Sequence, residues 1–283
     1  HFSLFEQPAV PMAQPRVCVL RAPGTNCDIE TSFAFEQSGA KADRVHLFRL
    51  LEQPRLLSEY QILCIPGGFS YGDDLGAGRI LGNQIRRHLF DWLHEFKAAG
   101  KLVLGICNGF QILTKSGILL ESTADQPPAA AAEEALSPPA TLTGNASGKF
   151  EDRWVRLRVS SSKCVFFRDI ESMYLPVAHA EGRFVARDEK VLAALEANGQ
   201  LALKYAALQS NGEAQGPAPY PDNPNGAMAD VAGVCDATGR VCGLMPHPER
   251  HIDPTHHPRW TRGPLAEEGD GLRVFRNAVQ YFS

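Results

Sequence analysis

The segment Leu102-Val-Leu-Gly-Ile-Cys107-Asn-Gly-Phe-Gln111 joins a wholly apolar run to an abrupt turn flanked by glycines. An apolar run of this length is typical of a strand that is covered on both faces of a sheet. Two similar runs precede it, at residues 17–20 and 62–65, and a proline–glycine turn follows each of them. Short buried strands with such turns predict an α/β protein built on a mostly parallel sheet.

Helical periodicity separates these strand candidates. Residues 83–99 place Ile85, Leu89 and Leu93 at helical spacing, and Gly100 follows where a helix C-cap favours glycine. Strands that alternate with amphipathic helices predict a doubly wound, flavodoxin-like sheet flanked by helices. Because such sheets bind ligands beyond the carboxyl ends of their strands, we expect the turns after residues 65 and 106 to face one crevice.

The remaining sequence fits one domain with two irregular additions. Residues 1–15 contain three prolines and predict an irregular N-terminal arm, whereas residues 16–283 form a single predicted domain. Within that domain, residues 121–140 are rich in Ala and Pro and lack apolar periodicity, so we expect a flexible insertion. Further strands are expected at residues 154–159, 201–208 and 239–245, and a closing helix at 273–282.

The composition is that of a globular protein with a sizeable core: 283 residues, of which 44% are hydrophobic and 21% charged. The formal net charge of −4 gives no basic surface for nucleic acid, and the apolar runs are too short to span a bilayer. Seven cysteines without paired C-x-x-C spacing indicate reduced thiols, so we expect a cytoplasmic enzyme. The first residue is His1, which fits a trimmed product or a piece of a longer chain.

The turn around Cys107 has the layout of a nucleophile elbow, with cysteine in place of serine. Gly105 and Gly109 stand two residues either side of it, where small residues let backbone segments pass closely. A strand that turns directly into a helix would strain the backbone of Cys107 and set its sulfur at a helix N-terminus. The pattern predicts a nucleophilic thiolate, with a buried structural cysteine as the alternative.

A nucleophilic cysteine needs a base, and the base needs an orienting group. His247 follows a strand candidate and lies between two prolines, and Glu249 is two positions further on. On an extended segment these two side chains would point to the same side, so we expect Glu249 to orient the imidazole of His247. The alternative is a surface loop with an incidental acid.

Acyl transfer also needs hydrogen-bond donors for the negatively charged oxygen of the tetrahedral intermediate. We expect these donors to be backbone N–H groups of the Gly67-Gly68 turn and of Asn108, the residue after the nucleophile. The glycine-rich segment 67–78 could instead cradle phosphate. However, it lacks a G-K-[ST] sequence, and Asp73-Asp74 would repel phosphate.

Two further patterns have competing interpretations. Four histidines lie within eleven residues: His247, His251, His256 and His257. They could indicate a metal site, but prolines interrupt the segment and it contains no H-E-x-x-H sequence. A polar surface loop is the simpler interpretation, and we expect no metal site in the chain. The order of Cys107 and His247 also occurs in papain-type proteases, which place the cysteine near the mature N-terminus in a different local sequence.

Together, Gly105-Ile-Cys107-Asn-Gly-Phe-Gln111 and Pro246-His-Pro-Glu249 resemble the class I, or triad, glutamine amidotransferases. Residues 21–28, 67–79, 178–184 and 224–226 narrow the resemblance to the glutaminase subunits of phosphoribosylformylglycinamidine synthases. The resemblance extends from about residue 16 to residue 282 and implies the class I amidotransferase fold. It implies an enzyme that makes ammonia from glutamine and passes it to a synthetase, which converts formylglycinamide ribonucleotide to formylglycinamidine ribonucleotide in de novo purine biosynthesis.

The resemblance also implies roles for individual residues. Cys107 would be the nucleophile, His247 the acid and base, and Glu249 its orienting group. Gly68 and Asn108 would donate to the oxyanion.

Other residues would bind the substrate glutamine. Gln111 would hold it from the floor of the pocket, and a loop containing His179, Gly182 and Arg183 would close over it. The implied partners are L-glutamine, a synthetase subunit and a small accessory subunit. ATP and Mg²⁺ would belong to the synthetase, so no cofactor is expected in this chain. The insertion at residues 121–140 departs from the usual compact pattern and could alter how the synthetase docks.

Two alternative functions are compatible with the same residues. The first is a cysteine amidohydrolase that works alone on the same fold, which strong glutaminase activity without a partner would favour. The second is a catalytically silent regulatory subunit, which a failure of glutamine-like electrophiles to label Cys107 would favour.

Overall fold

The computed structural model describes residues 14–120, 138–208, 214–215 and 217–283. The strands are β1 (Arg16–Arg21), β2 (Lys41–His46), β3 (Ile62–Ile65), β4 (Leu102–Ile106), β5 (Ala140–Thr143), β6 (Glu151–Val159), β7 (Ser172–His179), β8 (Arg183–Ala186), β9 (Leu203–Tyr205), β10 (Ala207–Leu208), β11 (Ala214–Gln215), β12 (Val231–Cys235) and β13 (Val241–Leu244). The α-helices are α1 (Asp28–Gln37), α2 (Leu47–Glu52), α3 (Arg79–His88), α4 (Phe90–Ala98), α5 (Asn108–Ser116), α6 (Glu189–Ala197) and α7 (Leu272–Gln280).

A nine-stranded sheet in the order β2-β1-β3-β4-β13-β12-β9-β6-β7 forms the centre of the molecule. The five strands from β2 to β13 are parallel to one another, and the remaining strands extend the sheet with antiparallel pairings. The strand order reverses between β1 and β3, so right-handed crossovers place α1 and the α3–α4 pair on opposite faces. This architecture confirms the predicted doubly wound α/β class.

The core lies on both faces of the parallel strands. Every residue of β3, β4 and β13 is buried, which explains why these strands have continuous apolar sequences. On one face, Phe35 of α1 packs edge to face against Phe275 of α7, with the ring centroids 4.9 Å apart. Over the residues that the structure describes, no helix is long and apolar enough to cross a lipid bilayer.

The three strands that the sequence identified first lie where they were predicted, at 16–21, 62–65 and 102–106. The single helix expected at residues 83–99 is wrong, because two helices meet at Leu89. The N–H of Leu89 donates to the carbonyl of Ile85 (2.8 Å) and its own carbonyl accepts from Leu93 (2.9 Å), so the apolar positions stay in register across the break. The apolar periodicity therefore looked continuous.

The expected strand at 201–208 is also divided, because β9 pairs with β6 and β12 in the main sheet whereas β10 pairs with β11 in a separate two-stranded sheet. The closing helix is confirmed as α7. Most of the predicted arm and insertion, residues 1–13 and 121–137, lies outside the described residues. Ala140, the last residue assigned to the insertion, belongs instead to β5, which pairs with β8.

Candidate active site

Cys107 occupies a strained turn between β4 and α5. Its backbone has φ 51° and ψ −103°, a region that non-glycine residues rarely adopt. The two flanking glycines make this turn possible: a Cβ on Gly109 would lie 1.8 Å from the carbonyl oxygen of Ile65, and one on Gly105 would lie 2.6 Å from that of Gly109. The geometry is that of the predicted nucleophile elbow.

The elbow places the sulfur of Cys107 in a confined position at the N-terminus of α5. The side chain is 5% exposed, and Sγ lies 3.7 Å from the carbonyl oxygen of Ala178, which belongs to β7. Backbone N–H groups at a helix N-terminus stabilise negative charge. The elbow therefore confines the sulfur between the N-terminus of α5 and β7.

His247 and Glu249 form a buried pair directly after β13, the strand beside β4. Nδ1 of His247 donates to Oε1 of Glu249 at 2.6 Å. The segment is a 3-10 turn at 248–250 and not extended as expected, and this tighter geometry is what brings the carboxylate to the imidazole. The N–H of His247 donates to the carbonyl of Pro176 at 2.9 Å, which fixes the turn against β7.

Burial by itself lowers the pKa of His247, but the neighbouring negative groups outweigh it. The carboxylate of Glu249 and the thiol of Cys107 together raise the pKa of His247 well above its usual value. Nε2, the other ring nitrogen, is buried and has no hydrogen-bond partner among the described residues. An imidazole that is oriented through Nδ1 and keeps Nε2 available can move a proton at the sulfur or at a leaving group.

The expected oxyanion donors lie close to this group. Gly68 has φ 142°, and a Cβ there would lie 2.7 Å from the backbone nitrogen of Asn26, so only glycine fits. The side-chain oxygen of Asn108 accepts from the N–H of Ser70 at 3.1 Å, which fastens the glycine-rich loop to the start of α5. The turn at Gly68 is thus linked to Asn108, the residue after Cys107, and the role of both as donors stays a prediction.

Asp73 lies inside the glycine-rich loop and does not face a phosphate site. Its Oδ1 accepts from the N–H of Gly78 and from Nδ2 of Asn108, both at 3.2 Å. Burial raises the pKa of Asp73, and these two hydrogen bonds oppose that effect. The carboxylate therefore organises the loop from within.

Gln111 lies beneath the loop between β7 and β8. Its Nε2 donates to the carbonyl of Glu181 at 2.6 Å, and its Oε1 accepts from Nδ2 of Asn108 at 2.9 Å. The side chain of Glu181 accepts in turn from the N–H of Ala77 at 3.2 Å. Both ends of the Gln111 amide are therefore bound to protein groups, and its role in holding glutamine stays a prediction.

His179 and Gly182 belong to a hydrogen-bonded network around Asn145. Oδ1 of Asn145 accepts from Nδ1 of His179 and from the N–H of Gly182, both at 3.1 Å. Nδ2 of Asn225 donates to the carbonyl of Gly182 at 2.8 Å. Burial lowers the pKa of His179 to about 4, so its ring is neutral. Arg183 is partly exposed at the start of β8.

No role was predicted for Asn145, Asn225, Cys27 or Arg250, although residues 27 and 225 lie in segments that carry the family resemblance. Sγ of Cys27 accepts from Nη2 of Arg250 at 3.1 Å. Ligand-type atoms of Cys27, His247 and Glu249 lie within 4.8 Å of one another. Such a set suits a soft cation like Zn²⁺, but the guanidinium of Arg250 places a positive charge on the same sulfur. The arrangement fits proton transfer better than metal binding.

The histidine-rich segment is only partly the polar surface loop that we expected, because His256 is exposed whereas His247 and His251 are buried. His251 is buried, and its Nδ1 contacts the carbonyl oxygen of Tyr174 at 2.9 Å. Its ring and that of His257 pack edge to face on Trp154, with centroids 5.0 and 4.5 Å away. These histidines stabilise the end of the sheet.

Known proteins resemble this chain over almost its whole length. Residues 14–282 match the family model of the CobB/CobQ-like glutamine amidotransferase domain. A protein from Dehalococcoides mccartyi, phosphoribosylformylglycinamidine synthase subunit PurQ, is 44% identical over 271 residues, covering 95% of this chain and 98% of that protein. The subunit of the same name from Methanococcus maripaludis is 41% identical over 279 residues, covering 95% and 98%.

Solved structures share the fold of this chain. A chain in the structure of PurLQS from Thermotoga maritima superposes with a TM-score of 0.67 at 30% identity, covering 95% of this chain and 100% of that chain. The glutaminase domain of Trypanosoma brucei CTPS with bound acivicin superposes with a TM-score of 0.52 at 11% identity, covering 95% and 94%, which is a likeness of fold alone.

Proposed function

Because this chain belongs to the CobB/CobQ-like glutamine amidotransferase family, we propose that it is the glutaminase subunit of a phosphoribosylformylglycinamidine synthase. It hydrolyses glutamine to glutamate and ammonia, and a synthetase partner uses the ammonia to convert formylglycinamide ribonucleotide to formylglycinamidine ribonucleotide. The observation that carries the proposal is a strained, glycine-flanked Cys107 beside the buried pair of His247 and Glu249.

The first half of the reaction transfers the glutamyl group to the enzyme. The thiolate of Cys107 attacks the side-chain amide carbon of glutamine, and the carbonyl electron pair moves to oxygen. N–H groups of Gly68 and Asn108 stabilise that oxygen, and losing one such donor costs about 3 kcal/mol in comparable hydrolases. When the intermediate collapses, the C–N bond breaks and His247 gives its proton to the leaving nitrogen, which departs as ammonia.

The second half restores the enzyme. Neutral His247 takes a proton from water, and the resulting hydroxide attacks the thioester carbon. The C–S bond breaks, so glutamate leaves and Cys107 returns to the thiolate that is paired with protonated His247. Glu249 holds the imidazole in one orientation through its hydrogen bond to Nδ1 during both halves.

The protonation of ammonia in water explains why this enzyme needs a partner. In bulk water at neutral pH ammonia is mostly protonated and is then no longer a nucleophile, so it must pass directly to the acceptor site. The relatives of this chain are named as synthase subunits, and the Thermotoga maritima neighbour is part of PurLQS. We place ATP and Mg²⁺ on the synthetase and no cofactor on this chain. The compartment that fits soluble purine synthesis is the cytoplasm.

The Cys107→Ala variant tests the proposal in the complex reassembled with its synthetase and accessory subunit. Glutamine-dependent synthesis of formylglycinamidine ribonucleotide should fall by at least a thousandfold, because the nucleophile is gone. Synthesis that is supplied with ammonium chloride should stay within about twofold of the wild-type rate, since it bypasses this site. Loss of both activities, or full glutaminase activity of the isolated wild-type chain without any synthetase, would contradict the division of labour.

A further inference from the structure

Cys27 lies at the centre of the site although the mechanism above does not use it. Its side chain is 0% exposed and follows β1, whereas Cys107 follows β4. Its Sγ lies within 4.8 Å of a ring nitrogen of His247. A Cβ on Gly67 would lie 2.7 Å from Cε1 of His247 and 3.2 Å from Sγ of Cys27, so the absence of a side chain at Gly67 lets the sulfur and the ring lie side by side.

The same sulfur connects two loops that are far apart in the chain. Arg250, in the turn after His247, donates from Nη2 to Sγ of Cys27 at 3.1 Å, across 223 residues of sequence. Nε of Arg250 also lies 4.0 Å from the carboxylate of Glu30 in α1. The N–H of Cys27 donates to the carbonyl of Gly67 at 3.2 Å. The loop after β1 is therefore fixed both to the Gly67-Gly68 turn and to the turn that carries His247.

We propose that Cys27 is a positioning residue for glutamine hydrolysis. Its sulfur packs beside the imidazole of His247 and, by accepting a hydrogen bond from Arg250, holds the turn on which His247 lies. The inference rests on the proposed function. Cys27 is proposed to act without touching the substrate. It acts by restricting the imidazole to the orientation in which Nε2 is free and Nδ1 stays on Glu249. A misplacement of about 1 Å can cost an enzyme on the order of a hundredfold in rate.

The groups that face His247 come from several elements, and they determine the expected pH effect. They are Glu249 on its own turn, Cys107 on the elbow after β4, Cys27 on the loop after β1 and His179 at the end of β7, with Arg250 bound to the sulfur of Cys27. The thiol of Cys27 acts in the same direction as Glu249 and raises the pKa of His247. Removing the sulfur should therefore lower the pH at which protonated His247 is lost.

The experiment compares Cys27→Ala and Cys27→Ser in the assembled complex. The alanine variant should lower kcat for glutamine hydrolysis by about tenfold with KM for glutamine within about twofold, and the alkaline limb of its kcat/KM profile should move to lower pH. The serine variant should recover most of kcat, because a hydroxyl accepts from Arg250 as the sulfur does. Cys18→Ala, which removes an equally buried thiol from β1, serves as the matched control and should leave kcat and the pH profile unchanged.

Three outcomes would overturn the proposal. They are a Cys27→Ala enzyme with the wild-type kcat and pH profile, a serine variant as impaired as the alanine variant, and a Cys18→Ala control with the same loss. A double-mutant cycle adds a second test. If the two residues act through their shared contact, the double variant Cys27→Ala/Arg250→Gln should have a kcat no lower than that of the more impaired single variant. Losses that add in activation free energy would contradict the shared contact. If the wild-type complex itself shows no glutamine hydrolysis, the proposed function fails. If it hydrolyses glutamine and Cys27→Ala is unaffected, only this inference fails.

Discussion

At the residue scale, the candidate site combines a strained backbone conformation with buried titratable side chains, each of which lowers the stability of the fold. Cys107 keeps a positive φ of 51°, which costs a non-glycine residue on the order of 1–3 kcal/mol. His247 and Glu249 bury two titratable groups against each other with 2% and 1% of their surfaces exposed. Such conformations persist only where the surrounding structure fixes them, and they concentrate where chemistry takes place.

Local sequence predicted some of these residues and not others. Cys107 could be predicted because a glycine stands two positions before it and another two positions after it, and His247 because it lies between two prolines with an acid two positions further on. Cys27 and Asn145 could not, because their partners are distant: Arg250 is 223 positions from Cys27, and Gly182 is 37 positions from Asn145. No local pattern carries information about contacts of that range.

His179 should make stability depend on pH. Burial lowers its pKa from 6.5 to about 4 in the folded chain, so between these values the unfolded chain binds the extra proton. The free energy of unfolding should therefore fall as pH falls from 6.5 to 4, by on the order of 3 kcal/mol from this group. His179→Gln should reduce the slope of unfolding free energy against pH in that window, which urea unfolding at a series of pH values measures.

The control for this prediction is His88→Gln, which changes an exposed histidine at the end of α3. It should leave the slope at the wild-type value. A His179→Gln variant whose slope matches the wild type between pH 4 and 6.5 would show that His179 does not stay neutral in the folded chain.

At the element scale, the buried strands were the easiest features to predict and the exposed ones the hardest. β3 and β4 are apolar throughout because both faces are covered, so their bounds could be read from the sequence. β2 was missed because it lies at the edge of the sheet and only Val45 among its residues is fully buried, which leaves no apolar run. The break between α3 and α4 at Leu89 was missed because the backbone hydrogen bonds preserve the helical spacing across it.

The junction of β3, β4 and α5 predicts the effect of Gly109→Ala. The new Cβ would meet the carbonyl oxygen of Ile65 at 1.8 Å, and backbone on both sides cannot move without disturbing the sheet. We expect the free energy of unfolding to fall by about 3 kcal/mol or more, because overpacking against backbone is costly. Glutaminase activity should fall with it, since the elbow that holds Cys107 is displaced. Urea unfolding and a glutaminase assay measure the two effects.

Gly144→Ala is the matched control, because a Cβ there would meet nothing within 4 Å. It should change the free energy of unfolding by less than about 0.5 kcal/mol. Equal stability of the Gly109→Ala and Gly144→Ala variants would mean that the close approach to Ile65 does not hold the elbow in place.

At the scale of the whole molecule, the topology explains why the site lies where it does. The parallel strands β1, β3, β4 and β13 all end at the same edge of the sheet, so Cys27, Gly68, Cys107 and His247 meet there. The alternation of strands and helices was enough to predict this edge. The antiparallel extension from β12 to β7 was not foreseen as a sheet, because β12, β9 and β6 pair across long stretches of chain. The division into an arm and one domain stays a prediction.

The mechanism depends on Cys107 as the nucleophile that attacks glutamine and releases its ammonia for a synthetase partner. Treatment of the assembled complex with a glutamine-like diazo-ketone, followed by peptide mass spectrometry, tests it most directly. We expect one covalent adduct, on Cys107, whose formation is prevented by glutamine. It should abolish glutamine-dependent synthesis and leave ammonia-dependent synthesis intact. A complex that turns over glutamine while Cys107 stays unmodified, or an adduct on Cys27 or another residue in its place, would contradict it.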